Sequence, residues 1–280
     1  MVNLIQSELI KLRSTKALWW TSGLILFFSI GFALLNGGMT GSLLNSDEAK
    51  KDPELYMTVA SGIGSDMGLS GFLSFGMMIV MIQAVMLVTT EYGANTSKTT
   101  LLATPTRWQV PIAKFIVYGV IASILAFVSN VLGTIVARWS LGWNLEDQEL
   151  LNKAGLGADG LWDQIWRIEV YLLLTIAAAI GVGYLVRNTA GGIAIMLLWN
   201  LVIEGTLVQL VPKVRDWLPP YMPFTNADAF TGMRDLEDAP WGQTGSILYF
   251  GAWCVVLFVV GVVMLKKRCL LYTSDAADER

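Results

Sequence analysis

Few residues of this chain could do chemistry, and their kinds exclude most of it. Its 280 residues contain no histidine, which removes Ser-His-Asp triads, histidine-ligated zinc and histidine proton relays. Cys254 lies in an apolar run and Cys269 near the C-terminus, which outlines neither a disulfide framework nor a metal site. There is no G-x-x-x-x-G-K-[ST] loop, so ATP is not bound by that route, and no H-E-x-x-H or G-x-S-x-G motif. No two acids share one apolar run. What remains is three isolated polar groups inside apolar stretches, Gln83, Asn130 and Glu204, and one polar, basic segment between two apolar runs, residues 91–107.

Glu204 is the acid set well inside an apolar run. Ionisable groups inside a membrane are expensive and are functional candidates by default. Glu204 stands about two turns from the end of its run, so two readings stay open: a structural group that snorkels or bonds a neighbouring helix, and a group on a substrate pathway or gate. Gln83 and Asn130 are candidates for the same pathway, although interhelical hydrogen bonding suits both better.

The elements that must position these groups follow from composition. The chain is 54% hydrophobic and 15% charged, where a soluble domain carries about 25% charge. The bilayer is therefore its solvent, and eleven tryptophans and eight tyrosines supply interface anchors. A spanning helix needs about 20 predominantly apolar residues. Six runs qualify: 17–35, 69–90, 115–137, 168–186, 190–211 and 244–265. The expected fold is an all-α membrane protein, a single domain over residues 1–268, with six transmembrane helices and an N-terminal interfacial helix. With the N-terminus inside, the short inner segments carry ten basic residues against Glu8 and Glu91, while eight basic residues and nearly all the acids fall outside. Lysine and arginine bias sets orientation, so N-in, C-in is expected. The first run is too long for a signal peptide, and no small-residue cleavage site follows it.

Residues 3–16 place Ile5, Leu9 and Leu12 on one apolar face, with Glu8 and Lys11 largely elsewhere, as in an interfacial helix. The short connection Arg187-Asn-Thr189 makes spans four and five a tight antiparallel hairpin. Gly181, Gly183, Gly191 and Gly192 flank it and permit close helix approach. Segments 145–153 and 160–167 are candidate short helices. The proline-rich stretch from Pro212 leads to Thr225-Asn-Ala-Asp-Ala-Phe230, a candidate capped helix start. Within residues 91–107, Pro105 disfavours helix at Thr104, and Thr96 or Ser97 can cap a helix start. A short helix over Ser97–Ala103 follows, with Leu101 and Leu102 on one side and Lys98 on another. It suits docking into a groove on a soluble partner; a basic loop that only sets topology is the other reading.

Three stretches resemble the membrane subunit of a type-2 ATP-binding-cassette exporter, a bacterial permease family with six spans per subunit. Ser7-Glu-Leu-Ile-Lys-Leu-Arg13-Ser-Thr-Lys-Ala-Leu-Trp19-Trp20 resembles the family's N-terminal helix. Thr90-Glu-Tyr92, Thr96-Ser-Lys98-Thr-Thr-Leu-Leu-Ala-Thr-Pro105-Thr-Arg107 and Ala113-Lys114 are similar to its glutamate-tyrosine, basic-threonine-threonine-leucine and proline-x-arginine pattern. Val186-Arg-Asn-Thr-Ala-Gly191, Leu198-Trp199, Glu204 and Asn226-Ala-Asp-Ala-Phe230 complete the likeness, which covers residues 1–268. The resemblance implies two permease subunits, identical or different, in the bacterial plasma membrane, driven by two separate cytoplasmic ATPase subunits that hold ATP and Mg. The permease is then no enzyme and binds neither a cofactor nor nucleic acid. Residues 96–105 would be the coupling element, with Glu91, Thr96, Lys98, Thr99, Leu101, Leu102, Pro105 and Arg107 as its coupling residues. Glu91 and the N-terminal helix would brace that junction. An exit lid would follow span five, at Tyr221–Phe230, with Tyr221, Phe224 and Phe230 as candidates. Gly93-Ala94-Asn95 departs from the bulkier, often basic residues expected after the tyrosine, which bears on partner affinity.

A secondary transporter and a non-transporting scaffold are the alternatives. The first needs polar groups around a midplane site and often internal repeats; the midplane here is nearly uncharged and no repeat is visible. Residues 269–280 resemble the in-frame translation of a transposon-end sequencing adapter and are set aside as a non-native tail, an acidic cytoplasmic tail being the other reading. Without Asp275, Asp278, Glu279 and Arg280, 18 basic and 19 acidic residues remain, and the net charge moves from −3 to −1. The acidic balance then says nothing about partners.

Overall fold

The computed structural model describes residues 1–94, 96, 108–215, 217–234 and 240–278, with the side chains of residues 209, 214 and 268–278 outside that description. Helix α1 (Val2–Ser14) stops at Thr15, whose extended backbone redirects the chain into α2 (Lys16–Leu44). Two short helices follow. Helix α3 (Asp47–Lys51) is capped by the Ser46 hydroxyl, and α4 (Pro53–Ser61) combines a capping Asp52 with proline at its first position. Then come α5 (Asp66–Gly93), with a π turn at Phe72–Gly76, and α6 (Gln109–Leu141). Helix α7 (Gln148–Lys153) is capped by Asp147. The last four are α8 (Leu161–Val186), α9 (Thr189–Leu207), α10 (Pro223–Thr231) and α11 (Gln243–Asp278).

No strand occurs among the described residues. Six described helices are long and apolar enough to cross a membrane: α2, α5, α6, α8, α9 and the Gln243–Lys267 part of α11. Five of the expected runs lie within one of them, and most helices extend past their runs; the run 190–211 instead overshoots α9, and Val211 is already extended. An apolar window registers only the stretch that matches hydrocarbon, whereas a helix can continue through polar residues once it is started. Accordingly α8 begins at Leu161 and absorbs the expected short helix at 160–167. Glu169 thereby becomes an acid inside a spanning helix, its carboxylate oxygens buried. The expected helix at 145–153 forms only from Gln148.

The chain divides into two compact units. One comprises Trp20–Ile79 and Ala122–Val170. Within it α2 and α6 run side by side in register, Ala33 against Gly133, Gly37 against Ala137 and Gly41 against Leu141. A Cβ on Gly37 would overlap the Ala137 carbonyl oxygen, so only glycine permits this approach. Ala33, Leu44, Met67, Ala137, Leu141 and Leu151 belong to the buried core of this unit. Asn130 lies here too, fully buried, and its amide has no hydrogen-bond partner among the described residues, so the expected interhelical bond is not made.

The other unit comprises Met1–Trp19, Val80–Ile121 and Tyr171–Arg280. In it Gly181 of α8 meets the Leu257 backbone of α11 so closely that a side chain would overlap it. This gives Gly181 the packing role expected of it. An aromatic group of Tyr171, Phe224 and Phe250 joins α8, α10 and α11, with ring centroids 5.4 and 5.5 Å apart.

Candidate functional site

The charges expected at the inner face converge in the second unit. Lys114, near the start of α6, donates to Glu8 Oε2 at 2.7 Å and to Glu91 Oε1 at 2.8 Å. Lys11 donates to Glu8 Oε1 at 2.8 Å and to Glu91 Oε1 at 3.3 Å. The four side chains close a ring of alternating sign that links α1, the end of α5 and the start of α6. Lys114 and Glu8 are 1% and 2% exposed, so neither charge could be tolerated there without the other. Burial alone would raise the Glu8 carboxyl, but Lys114 and Lys11 outweigh it and hold Glu8 below its ordinary 4.5. Burial likewise lowers Lys11, and Glu8 and Glu91 outweigh it, so Lys11 is raised above 10.5. Each carboxylate thus lies between two ammonium groups, an arrangement that holds helices together and offers no free base or nucleophile.

The helical phase of α1 differs from the reading of its sequence. Glu8 and Leu12 are its buried residues, while Leu9 is exposed. Glu8 falls on the inward face because Lys114 waits there, 106 residues away in sequence. Beside the ring lies a cleft of about 400 Å³ whose walls include Lys11, Leu12, Gln83, Met86 and Thr90. Gln83 is buried in that wall.

Of the expected coupling residues, Glu91 is in the ring, and Thr96 donates its hydroxyl to the Glu91 carbonyl at 3.4 Å. Lys98, Thr99, Leu101, Leu102, Pro105 and Arg107, and with them the expected helix over Ser97–Ala103, lie outside the described residues. Next to Glu91, the Tyr92 ring lies 4.9 Å beneath the Arg187 guanidinium. Arg187 opens the α8–α9 connection in a left-handed backbone conformation with φ 57°. The Asn188 side chain caps Gly191 at 2.9 Å, and Thr189 donates to the Thr89 hydroxyl at 2.9 Å. The tight hairpin is therefore present, and it is fastened to α5 one turn before the ring.

Glu204 belongs to a different arrangement within the same unit. It lies in a π-helical stretch of α9, Leu198–Leu207, of which it is the buried residue. Its carboxylate accepts from the Trp199 indole, from the Thr225 backbone N–H at 2.8 Å and from the Thr225 hydroxyl at 3.2 Å. Thr225 is the third residue of α10, whose own N-cap, Met222, offers no side-chain acceptor. Glu204 therefore supplies, from α9, the acceptor that an N-cap side chain ordinarily gives. Helix α10 begins at Pro223, before the expected capped start at Thr225. Of the lid candidates, Phe224 is buried against Phe250, Phe230 is half-buried, and Tyr221 is exposed with its carbonyl accepting from the Tyr249 hydroxyl at 2.8 Å. The Asn226 amide donates to the Pro220 and Met222 carbonyls at 2.7 and 2.8 Å and fastens the preceding turn.

Among the described residues no cluster of three potential metal ligands occurs. The geometry defines a multi-pass helical membrane protein in which the charge ring and Glu204 join helices. The family model for ABC-2 family transporter proteins matches residues 4–203. The chain belongs to that family and is a permease component of an ATP-binding-cassette transporter, which implies partnership with an ATPase subunit of that class. The match takes in α1, the charge ring and five of the spans, and it ends one residue before Glu204. A search of curated proteins finds no match.

Proposed function

We propose that this chain is the membrane-spanning subunit of an ATP-driven exporter, oriented N-in and C-in in a bacterial plasma membrane. Two permease subunits form the pathway, and separate cytoplasmic subunits bind ATP and Mg. Residues 96–105 receive the ATPase, with Lys98, Leu101 and Leu102 as contact residues. The observation that carries this reading is the charge ring. Glu91 and Lys114 stand on the two stems of segment 95–107, and both are clamped to α1 through Glu8 and Lys11. A push on that segment is therefore delivered to two spans and to α1 together, rather than absorbed by one helix end. ATP binding can favour one permease arrangement only if these contacts differ between the two states, and a closed ring whose Lys114–Glu8 pair is buried moves as a unit or breaks at high cost. Helix α10, capped by Glu204, is the exit lid.

The test is ATP hydrolysis by the partner ATPase reconstituted with the permease in proteoliposomes. Hydrolysis that changes when the permease is present, with a response lost in Leu101→Asp, supports the reading. A rate indifferent to the permease refutes it.

A further inference from the structure

The end of α6 farthest from Lys114 carries a cation that pairs with no anion among the described residues. Arg138 lies in the last turn of α6 and is half-buried. Among the described residues its guanidinium has no ion-pair or hydrogen-bond partner: Glu146 and Asp159 of the adjoining segment do not pair with it, and the segment's other acids have partners of their own. Asp147 caps α7, Glu149 pairs with Lys153, and Asp163 pairs with Arg167. The guanidinium lies along Gly155: a Cβ there would stand 2.6 Å from Nη1 and 3.2 Å from Cδ. It faces an open cleft of about 520 Å³ bounded by Ile135, Trp139, Trp143, Leu151 and Leu156. Trp139 and Trp143 meet edge to face at 4.9 Å and remain 62% and 54% exposed.

These features have one common solution. Exposed indoles at a helix end sit at the depth of lipid headgroups. A cation partly removed from water is costly until an anion reaches it, and the planar guanidinium fork matches a phosphate with two parallel bonds. Ile135, one turn back along α6, and Leu151 and Leu156 set apolar walls beside the cation, as an acyl chain requires. We propose that this cleft binds a phospholipid, its phosphate on Arg138 and the first methylenes of its chains against Ile135, Leu151 and Leu156. The site lies wholly within one unit of the chain and needs no ATPase. The N-in orientation proposed above would place it in the outer leaflet.

The test is native mass spectrometry of the full-length permease titrated with phosphatidylglycerol, alone and against inorganic phosphate. Loss of one charge-assisted bond predicts binding weakened about tenfold or more in Arg138→Gln. Gly155→Ala keeps the charge but presses on the guanidinium, and it should also weaken binding, which decides the matter if Arg138→Gln fails to fold. Affinity unchanged by both substitutions means that Arg138 merely reaches water, and it overturns the proposal. Arg138-dependent binding of inorganic phosphate that displaces the lipid makes the site a free-anion site and overturns the lipid assignment.

Discussion

Glu204 caps a helix that is not its own: its carboxylate accepts the Thr225 backbone N–H at 2.8 Å, 21 residues further along the chain. The bond settles the first turn of α10 and holds α9 against it. Glu204→Ala removes the acceptor from both Thr225 and the Trp199 indole, and such orphaned donors cost about 1–3 kcal/mol. Glu204→Gln keeps an acceptor oxygen and should cost less than half as much. Hydrogen–deuterium exchange across Pro223–Thr231 should rise strongly in the alanine variant and modestly in the glutamine variant. Equal exchange in wild type and Glu204→Ala would show that α10 does not depend on this cap.

The charge ring predicts a reversal between single and double replacement. Lys114→Met leaves Glu8 buried between fewer cations and should cost about 3–5 kcal/mol. Adding Glu8→Leu removes the stranded charge, leaves the Lys11–Glu91 pair, and should recover most of that loss. Thermal unfolding of the purified permease measures both. A double variant no more stable than the single one would show that the ring is not a coupled unit.

Three groups shape stability against pH. The lowered Glu8 stabilises the fold above its ordinary 4.5, and that contribution is lost as pH falls through its lowered value. The raised Lys11 stabilises below 10.5 and is lost as pH rises through its raised value. Asp228, on α10, is pushed by burial up to about 6 from 3.8, partly offset by Arg234. A raised acid acts in the opposite sense to Glu8: the fold gains stability as pH falls from about 6 towards 3.8. Melting temperature should therefore rise on mild acidification and then fall below about pH 4.5, where the unfolded chain takes up the proton that folded Glu8 resists. Asp228→Asn should diminish the rise and leave the fall.

Arg187 sits in a left-handed conformation that costs a non-glycine residue about 1–2 kcal/mol, and its guanidinium over Tyr92 returns about 0.5–1 kcal/mol. Arg187→Gly relieves the strain while losing the ring contact, so its melting temperature should stay near wild type. Arg187→Ala keeps the strain and loses the contact, so it should be the less stable of the two. The reverse order would mean that neither effect governs this turn.

The spans were legible because each depends on a local property, a run of apolar residues long enough for hydrocarbon. The tight turn at Arg187-Asn-Thr189 was legible for the same reason, since chain length alone forces it. Glu8 was placed away from the apolar face because a charge ordinarily faces water; yet Ile5, Glu8 and Leu12, spaced i, i+3 and i+7, share one stripe, which was the available signal. What no local pattern carries is Lys114 lying 106 residues downstream. The cap from Glu204 was hidden likewise, because Met222 and Pro223 give no capping signal and the acceptor comes from another helix. The π stretch at Leu198–Leu207 leaves no mark in a hydrophobic pattern.

On the proposed function, the segment braced by the charge ring receives the ATPase. The most direct measurement of this is the amount of ATPase subunit that co-purifies with the permease from membranes, compared between wild type, Lys98→Glu and Leu101→Asp at equal permease yield. The account predicts that the ATPase accompanies the wild-type permease and is lost from both variants. Retention of the ATPase by both variants would contradict it.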